Sequence, residues 1–255
     1  MLADHDSVSA MTGKGEGMEN APMYGARRLP ARGRWPQGID VWHVPLALTD
    51  DRAAWPRLAP DERAHAARYR QPADRIRFAT TRSALREILG AHLHADPAAL
   101  TFATCEHGKP MLPAAPALSF NVSHAGTHAL IAVSAAYRVG IDVEYVDAAL
   151  NWHELTELVC TPAERRILLD APPASRHRLF FRCWTAKEAL LKALGLGIAH
   201  GLLALTVDPR RDGAACPDVS GDPRFADAKQ LAYGWLDEWP DYFGCVAYGV
   251  HRDGA

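Results

Sequence analysis

The order of helical and strand-like segments along the chain constrains the fold more than any other sequence feature. Alternating residues predict a strand at 39–44, and helix signals follow at Pro60 and over 74–89, where Gly90 is predicted to end the helix. Because helices and strands come in separate runs, and do so twice, the sequence predicts an α+β fold with a weak internal duplication whose halves meet near residue 140. Further strands are predicted at 118–123, 129–135, 139–144, 202–207, 230–236 and 244–250, and further helices at 151–159, 162–169 and 176–194.

Three regions are predicted along the chain. Residues 1–37 are rich in Gly, Ala, Met and charge and show no periodicity, so we expect a disordered leader. Residues 38–140 form the predicted N-terminal half, and residues 141–251 form the predicted C-terminal half.

Composition argues against several classes of protein. The net charge of −2 gives no overall basic field for nucleic acid. The five cysteines include no C-x-x-C pair, which argues against a disulfide framework or a structural zinc site. The longest apolar stretch, 129–136, is far shorter than the roughly 18 residues that a membrane span needs. We therefore expect a soluble cytoplasmic protein.

Two acidic residues in one predicted strand are the first candidate for chemistry. In Gly140-Ile-Asp-Val-Glu144, residues two apart point to the same face, so Asp142 and Glu144 lie side by side. Two like charges this close favour a cation between them, and oxygen ligands suit Mg²⁺ or Mn²⁺. The alternative is an exposed strand face that pairs with lysines.

A predicted helix carries a second acidic group one turn away from a lysine. Glu188 and Lys192 are four residues apart and share a face, an arrangement that suits phosphoryl chemistry. The carboxylate would complete a metal site, and the amine would neutralise phosphate oxygens. Two structural alternatives remain: a capping box with Thr185, and an ordinary surface ion pair.

Three other features are weak signals when taken alone. Ser123 and His124 end a predicted strand, without the G-x-S-x-G sequence of a hydrolase. Residues 106–110 form a turn with an exposed lysine. Three arginines, Arg75, Arg82 and Arg86, follow one stripe of the 74–89 helix and could hold a phosphate, or simply face solvent.

Taken in order, the motifs G-K-P, F-N-V-S-H-A-G, G-I-D-V-E and W-T-A-K-E-A-L-L-K-A-L-G-L-G carry a specific resemblance. The chain resembles the 4′-phosphopantetheinyl transferase family over residues 40–250. It is most similar to the large two-domain type that serves peptide, polyketide and siderophore synthetases. The resemblance implies an α+β monomer with two pseudo-symmetric halves, each of helices plus a small antiparallel sheet, that hold coenzyme A (CoA) between them. It also implies transfer of the phosphopantetheine arm to a serine of an apo acyl or peptidyl carrier protein, with release of adenosine 3′,5′-bisphosphate.

The resemblance also implies roles for particular residues. Asp142, Glu144 and Glu188 would bind Mg²⁺, and Lys192 would steady the phosphate oxygens. Either Glu188 or Asp142 would take the proton of the serine. Two other classes stay open: a non-catalytic relative that binds CoA or a carrier, and a metal-dependent phosphohydrolase. The CoA contacts implied by the resemblance are Arg77, Arg82, Gly108, Lys109, Pro110, Ser123, His124 and Lys187.

Overall fold

The computed structural model describes residues 23–105, 108–147, 150–197 and 201–250. Residues 1–22, most of the predicted leader, lie outside this description. Five α-helices and eleven strands are defined in the described residues, all strand pairs are antiparallel, and the predicted α+β class is confirmed. None of the described helices is long and apolar enough to cross a membrane.

The elements follow the predicted order, with boundaries that differ by a few residues. The helices are α1 (Pro60–Ala66), α2 (Pro72–Leu93), α3 (Trp152–Val159), α4 (Pro162–Asp170) and α5 (Pro173–Leu194). The strands are β1 (Arg27–Arg28), β2 (Asp40–Pro45), β3 (Ala103–Thr104), β4 (Pro110–Met111), β5 (Ser119–Ala125), β6 (His128–Ser134), β7 (Tyr137–Tyr145), β8 (Leu205–Thr206), β9 (Asp218–Val219), β10 (Ala232–Leu236) and β11 (Tyr242–Val250). Short 3-10 helices occupy parts of the connections, including Leu202–Ala204.

Each half packs one 22-residue helix against one small sheet. In the first half, α2 covers a sheet of order β1-β2-β6-β5 and buries Leu85 and Leu89 against Ile131. In the second half, α5 covers a sheet of order β10-β11-β7 and buries Leu190 in the same core as Cys245. The apolar faces of helix and sheet must be buried against each other, and this requirement gives both halves the same two-layer construction.

Alternate side chains of β5 join the two sheets. Ser119 Oγ accepts a hydrogen bond from Val139 N at 3.0 Å, and Asn121 Oδ1 accepts one from Ile141 N at 2.8 Å. Residues two apart in a strand point to one side, so Ser123 faces β7 as well. The functional residues of β5 and β7 are thereby held side by side along the seam between the halves.

The predicted leader is too long. Residues of its last third are ordered, because β1 pairs with β2, and Leu29 and Trp35 are buried in a core shared with Val41 and Val246. Arg34 adds a hydrogen bond to the carbonyl oxygen of Trp235 in the second half. Isolated apolar residues without periodicity give no signal in the sequence, yet burial of these two large side chains stabilises the segment.

Two other predicted boundaries also differ from the structure. Helix α2 continues through Gly90 to Leu93, and His94 adopts the left-handed conformation that ends it. Gly90 instead allows close packing, since a Cβ there would lie 2.9 Å from atoms of Ala95 and Pro97. The junction of the halves falls at residues 135–136, because the whole of β7 belongs to the second sheet.

Candidate active site

Three carboxylates meet where β7 passes α5. Asp142 and Glu144 extend from one face of β7, while Ile141 and Val143 on the other face are buried in the core. Glu188 comes from α5, and one oxygen of each carboxylate lies within 4.8 Å of the others. Asp142 is only 1% exposed, and its Oδ2 has no hydrogen-bond partner among the described residues.

The amine of Lys192 lies among these carboxylates. Its Nζ donates to Asp142 Oδ1 at 2.5 Å and lies 3.6 Å from Glu188 Oε2. Ser123 Oγ also donates to Asp142 Oδ1, at 2.9 Å, so a residue of the first half contacts the acidic group of the second. Burial alone would lower the pKa of Lys192, but the charges of Asp142 and Glu188 outweigh it and raise that pKa.

One ammonium group does not balance three carboxylates. Burial, together with the charges of Asp142 and Glu188, raises the pKa of Glu144 to about 8. Burial and the charge of Asp142 also raise the pKa of Glu188. The protein alone therefore lacks positive charge at this point, a pattern that is typical of a cation site.

Trp184 orients the third carboxylate and was not anticipated from the sequence. Its indole Nε1 donates to Glu188 Oε1 at 2.5 Å, from one turn earlier in α5. This leaves Oε2 as the oxygen that faces Lys192. The four-residue spacing between Trp184 and Glu188 was a signal available in the sequence, because side chains four apart in a helix are neighbours.

A cavity of about 310 Å³ opens between α2 and the seam, next to Lys192. Its polar wall consists of Thr81, Arg82, Ser123, His124 and Lys192, and no carboxylate is among the described residues that line it. An anionic ligand would therefore meet two cationic side chains here. Its apolar wall consists of Phe78, Leu85, Pro110 and Val122.

The arginines of α2 do not act as one stripe. Arg75 pairs with Asp51, and Arg86 is fully buried against Glu62, so neither is available to a ligand in the cavity. Arg82 reaches the cavity and shares Glu62 at 3.3 Å. Ion pairs with other elements, which helical periodicity does not reveal, hold Arg75 and Arg86 in structural contacts and leave Arg82 at the cavity.

Arg77 lies beside the cavity rather than on its wall. Its Nε donates to the carbonyl oxygen of Gly126 at 2.8 Å, and its guanidinium pairs with Asp74 at 2.6 Å. Gly126 forms the tight turn between β5 and β6, where a Cβ would collide with the hydroxyl of Tyr242. Arg77 thus stabilises the turn that follows Ser123 and His124.

The turn that carries Gly108, Lys109 and Pro110 lies on the other side of the cleft. Pro110 lines the cavity, whereas Gly108 is exposed, with a φ of 82°. The amine of Lys109 donates to the carbonyl oxygen of Lys192 at 3.0 Å and to that of Val139 at 3.4 Å. The side chain of Lys109 therefore contacts the protein, and burial lowers its pKa to about 8.

Lys187 is not a cleft residue, and its predicted contact with CoA is wrong for this structure. Its side chain is fully buried, and its amine donates at 2.5 Å to both Glu164 Oε2 and the carbonyl oxygen of Val159. One helical step of about 100° separates Lys187 from Glu188, which turns the lysine into the core of the second half.

Comparison with known families matches both halves of the chain. Residues 49–136 match the description "4′-phosphopantetheinyl transferase, N-terminal", and residues 138–240 match "4′-phosphopantetheinyl transferase superfamily". The transferase HetI of Nostoc sp. (strain PCC 7120) is 38% identical over 168 residues, which cover 63% of this chain and 70% of HetI. The chain belongs to the 4′-phosphopantetheinyl transferase family. The predicted membership of this family, and the prediction that the chain is a transferase, are confirmed.

Two further transferases extend this similarity. The 4′-phosphopantetheinyl transferase psf-1 of Bacillus pumilus is 31% identical, over 69% of this chain and 78% of its own length. The 4′-phosphopantetheinyl transferase Sfp of Bacillus subtilis (strain 168) is 25% identical, over 66% of this chain and 74% of its own length.

Proposed function

We propose that this chain transfers the 4′-phosphopantetheine arm of CoA to a serine of an apo acyl or peptidyl carrier protein. The observation that carries the proposal is the acidic cluster of Asp142, Glu144 and Glu188, with Lys192 inside it and a cation-lined cavity beside it. Family membership supports the transfer of phosphopantetheine, and this geometry supports CoA as its donor.

The cluster fits Mg²⁺, with Mn²⁺ as the alternative. All three groups are carboxylates, the hard oxygen donors that these ions prefer. The buried, unpartnered Oδ2 of Asp142 is an acceptor that a cation would satisfy. When bound there, the ion would neutralise charge on the pyrophosphate of CoA.

Side chains of the protein bind the phosphates and take up the proton of the serine. Lys192 and Arg82 attract the phosphate oxygens, and Ser123 and His124 can hydrogen-bond them from the wall of the cavity. The serine oxygen of the carrier attacks the β-phosphorus, the bond to the departing adenosine 3′,5′-bisphosphate breaks, and a carboxylate of the chain takes the serine proton.

The contacts favour Glu188 as this base. Asp142 Oδ1 already accepts hydrogen bonds from Lys192 and Ser123, and its Oδ2 is the oxygen assigned above to the cation. Glu188 has one oxygen held by Trp184 and a second, Oε2, that is 3.6 Å from Lys192. A base must be oriented and yet keep one oxygen for the incoming proton, and Glu188 meets both conditions.

An intact-mass assay tests the proposal. Purified chain, CoA and Mg²⁺ are incubated with an apo carrier protein, beside samples with EDTA, without CoA and with Asp142→Asn. The expected result is a gain of one phosphopantetheine mass that requires metal, CoA and Asp142. Several apo carriers left unmodified while CoA still binds would favour a non-catalytic relative, and CoA consumed without a carrier would favour a phosphohydrolase.

A further inference from the structure

Lys109 reaches from one half of the molecule into the other. Its backbone is fixed in a turn, where Gly108 N donates to the Cys105 carbonyl oxygen and Cys105 N donates to that of Lys109, both at 2.9 Å. The side chain leaves this turn toward the second half and ends between the carbonyl oxygens of Val139 and Lys192. A turn of the first half is thus tied to two elements of the second.

The two carbonyl groups belong to the elements that carry the acidic cluster. Lys192 lies in the last turn of α5, where its carbonyl oxygen also accepts a hydrogen bond from Gly195 N at 3.2 Å and where a positive charge is favourable. Val139 lies in β7, three residues before Asp142. One ammonium group therefore fixes the end of α5, which presents the Lys192 amine, against the strand that presents Asp142.

Stability alone does not account for a lysine here. Burial opposes the charge of the Lys109 amine, and this cost offsets most of what its two hydrogen bonds to carbonyl oxygens contribute to stability. A role in placing the Lys192 amine does account for a lysine at position 109. A shift of about 1 Å in a catalytic group can slow a reaction by about 100-fold, so a contact that fixes the end of α5 matters for the rate.

We propose that Lys109 is a positioning residue of the transfer reaction, which acts by holding the last turn of α5 so that the Lys192 amine meets the Asp142 carboxylate. The proposal rests on the function proposed above, and it gives the Lys109 side chain a role within the protein in place of a contact with CoA.

The test is a comparison of Lys109→Met with a matched control, Lys229→Met, which removes an exposed lysine outside the site. For Lys109→Met we expect kcat to fall by roughly 10- to 100-fold. The KM and the calorimetric Kd for CoA should stay within about twofold, and the melting temperature should fall by no more than about 5 °C. Lys229→Met should leave all four quantities unchanged. Weaker CoA binding with unchanged kcat would overturn the proposal, and so would no effect at all.

A double-mutant cycle shows whether Lys109 acts through Lys192. In a Lys192→Met background, Lys109→Met should slow the residual transfer by no more than about twofold. An undiminished loss in that background would overturn the proposal. If Lys109→Met does not fold, Lys109→Arg replaces it. Arginine keeps a positive charge that can donate to the same carbonyl oxygens, so we expect its kcat to lie near the wild-type value. An arginine variant that folds and binds CoA but is fully inactive would contradict the proposal. A wild-type chain that modifies no carrier would refute the proposed function and this role together, whereas an active wild type with an unaffected Lys109→Met refutes this role alone.

Discussion

Replacement of Lys187 separates a structural role from a role in CoA binding. Lys187→Met removes an ammonium group that lies 2.5 Å from Glu164 Oε2, in a pair whose side chains are both 0% exposed. Loss of one partner of a buried ion pair costs about 3–5 kcal/mol, because the other charge stays buried without compensation. Thr161 N and Val207 N still donate to Glu164, at 2.7 and 2.8 Å, so we expect the lower end, about 3 kcal/mol.

The assay is urea unfolding, followed by calorimetric titration with CoA at a temperature where the variant is folded. For a chain of this size, a loss of about 3 kcal/mol corresponds to a melting temperature roughly 10 °C lower. Addition of Glu164→Gln should recover part of the loss, because the uncompensated charge is removed, and CoA affinity should match wild type in both variants. Unchanged unfolding free energy with weakened CoA binding would refute the reasoning, because the amine would then act in the cleft.

Three other predictions follow from single contacts. Trp184→Phe keeps the aromatic packing but removes the hydrogen bond to Glu188, so the transfer rate should fall by about 10-fold while the KM for CoA is retained, measured by steady-state kinetics. Burial and neighbouring charges lower the pKa of His43 to about 4, so the unfolded chain takes up the proton first. His43 should therefore contribute a drop in unfolding free energy of roughly 1.4 kcal/mol per unit as pH falls from about 6.5 to 4, and urea titrations of His43→Asn should show a profile that is shallower by that amount. Thr81 has a buried hydroxyl without a partner among the described residues, so Thr81→Val should raise the free energy of unfolding by about 1 kcal/mol. Thr185→Val is the control: it loses the hydrogen bond to the carbonyl oxygen of Phe181 and should lower the free energy of unfolding.

Strand periodicity accounts for the part of the site that the sequence predicted well. Alternation alone predicts that Asp142 and Glu144 share a face, and a four-residue helical spacing does the same for Glu188 and Lys192. Both rules describe neighbours within one element. The order of the motifs gives the family resemblance, and that resemblance implies that the strand with Asp142 and Glu144 lies beside the helix with Glu188 and Lys192.

Contacts between elements account for what the sequence did not predict. Arg82 and Arg86 both pair with Glu62 of another helix, but Arg86 also donates to the carbonyl oxygens of Pro97 and Leu100, which hold it away from the cavity. Residues 23–37 are ordered because Leu29 and Trp35 are buried between the halves, and no local sequence pattern predicts this burial. Lys187 is different, because the helical step of about 100° from Glu188 was already enough to turn it away from the cleft.

The contacts across the seam explain why the active site should respond to small changes that the fold tolerates. Ser123 of the first half donates to Asp142 of the second, Lys192 donates to that same carboxylate, and Lys109 of the first half holds the carbonyl oxygen of Lys192. Ser123 and Lys109 reach their partners in the second half only when the two halves keep their relative position. Two of the apolar cores lie within single halves, whereas the core that contains Leu29 and Val246 crosses the seam. A substitution of one of the polar groups at the seam should therefore reduce kcat before it reduces the free energy of unfolding, and a substitution in any of the cores should do the reverse.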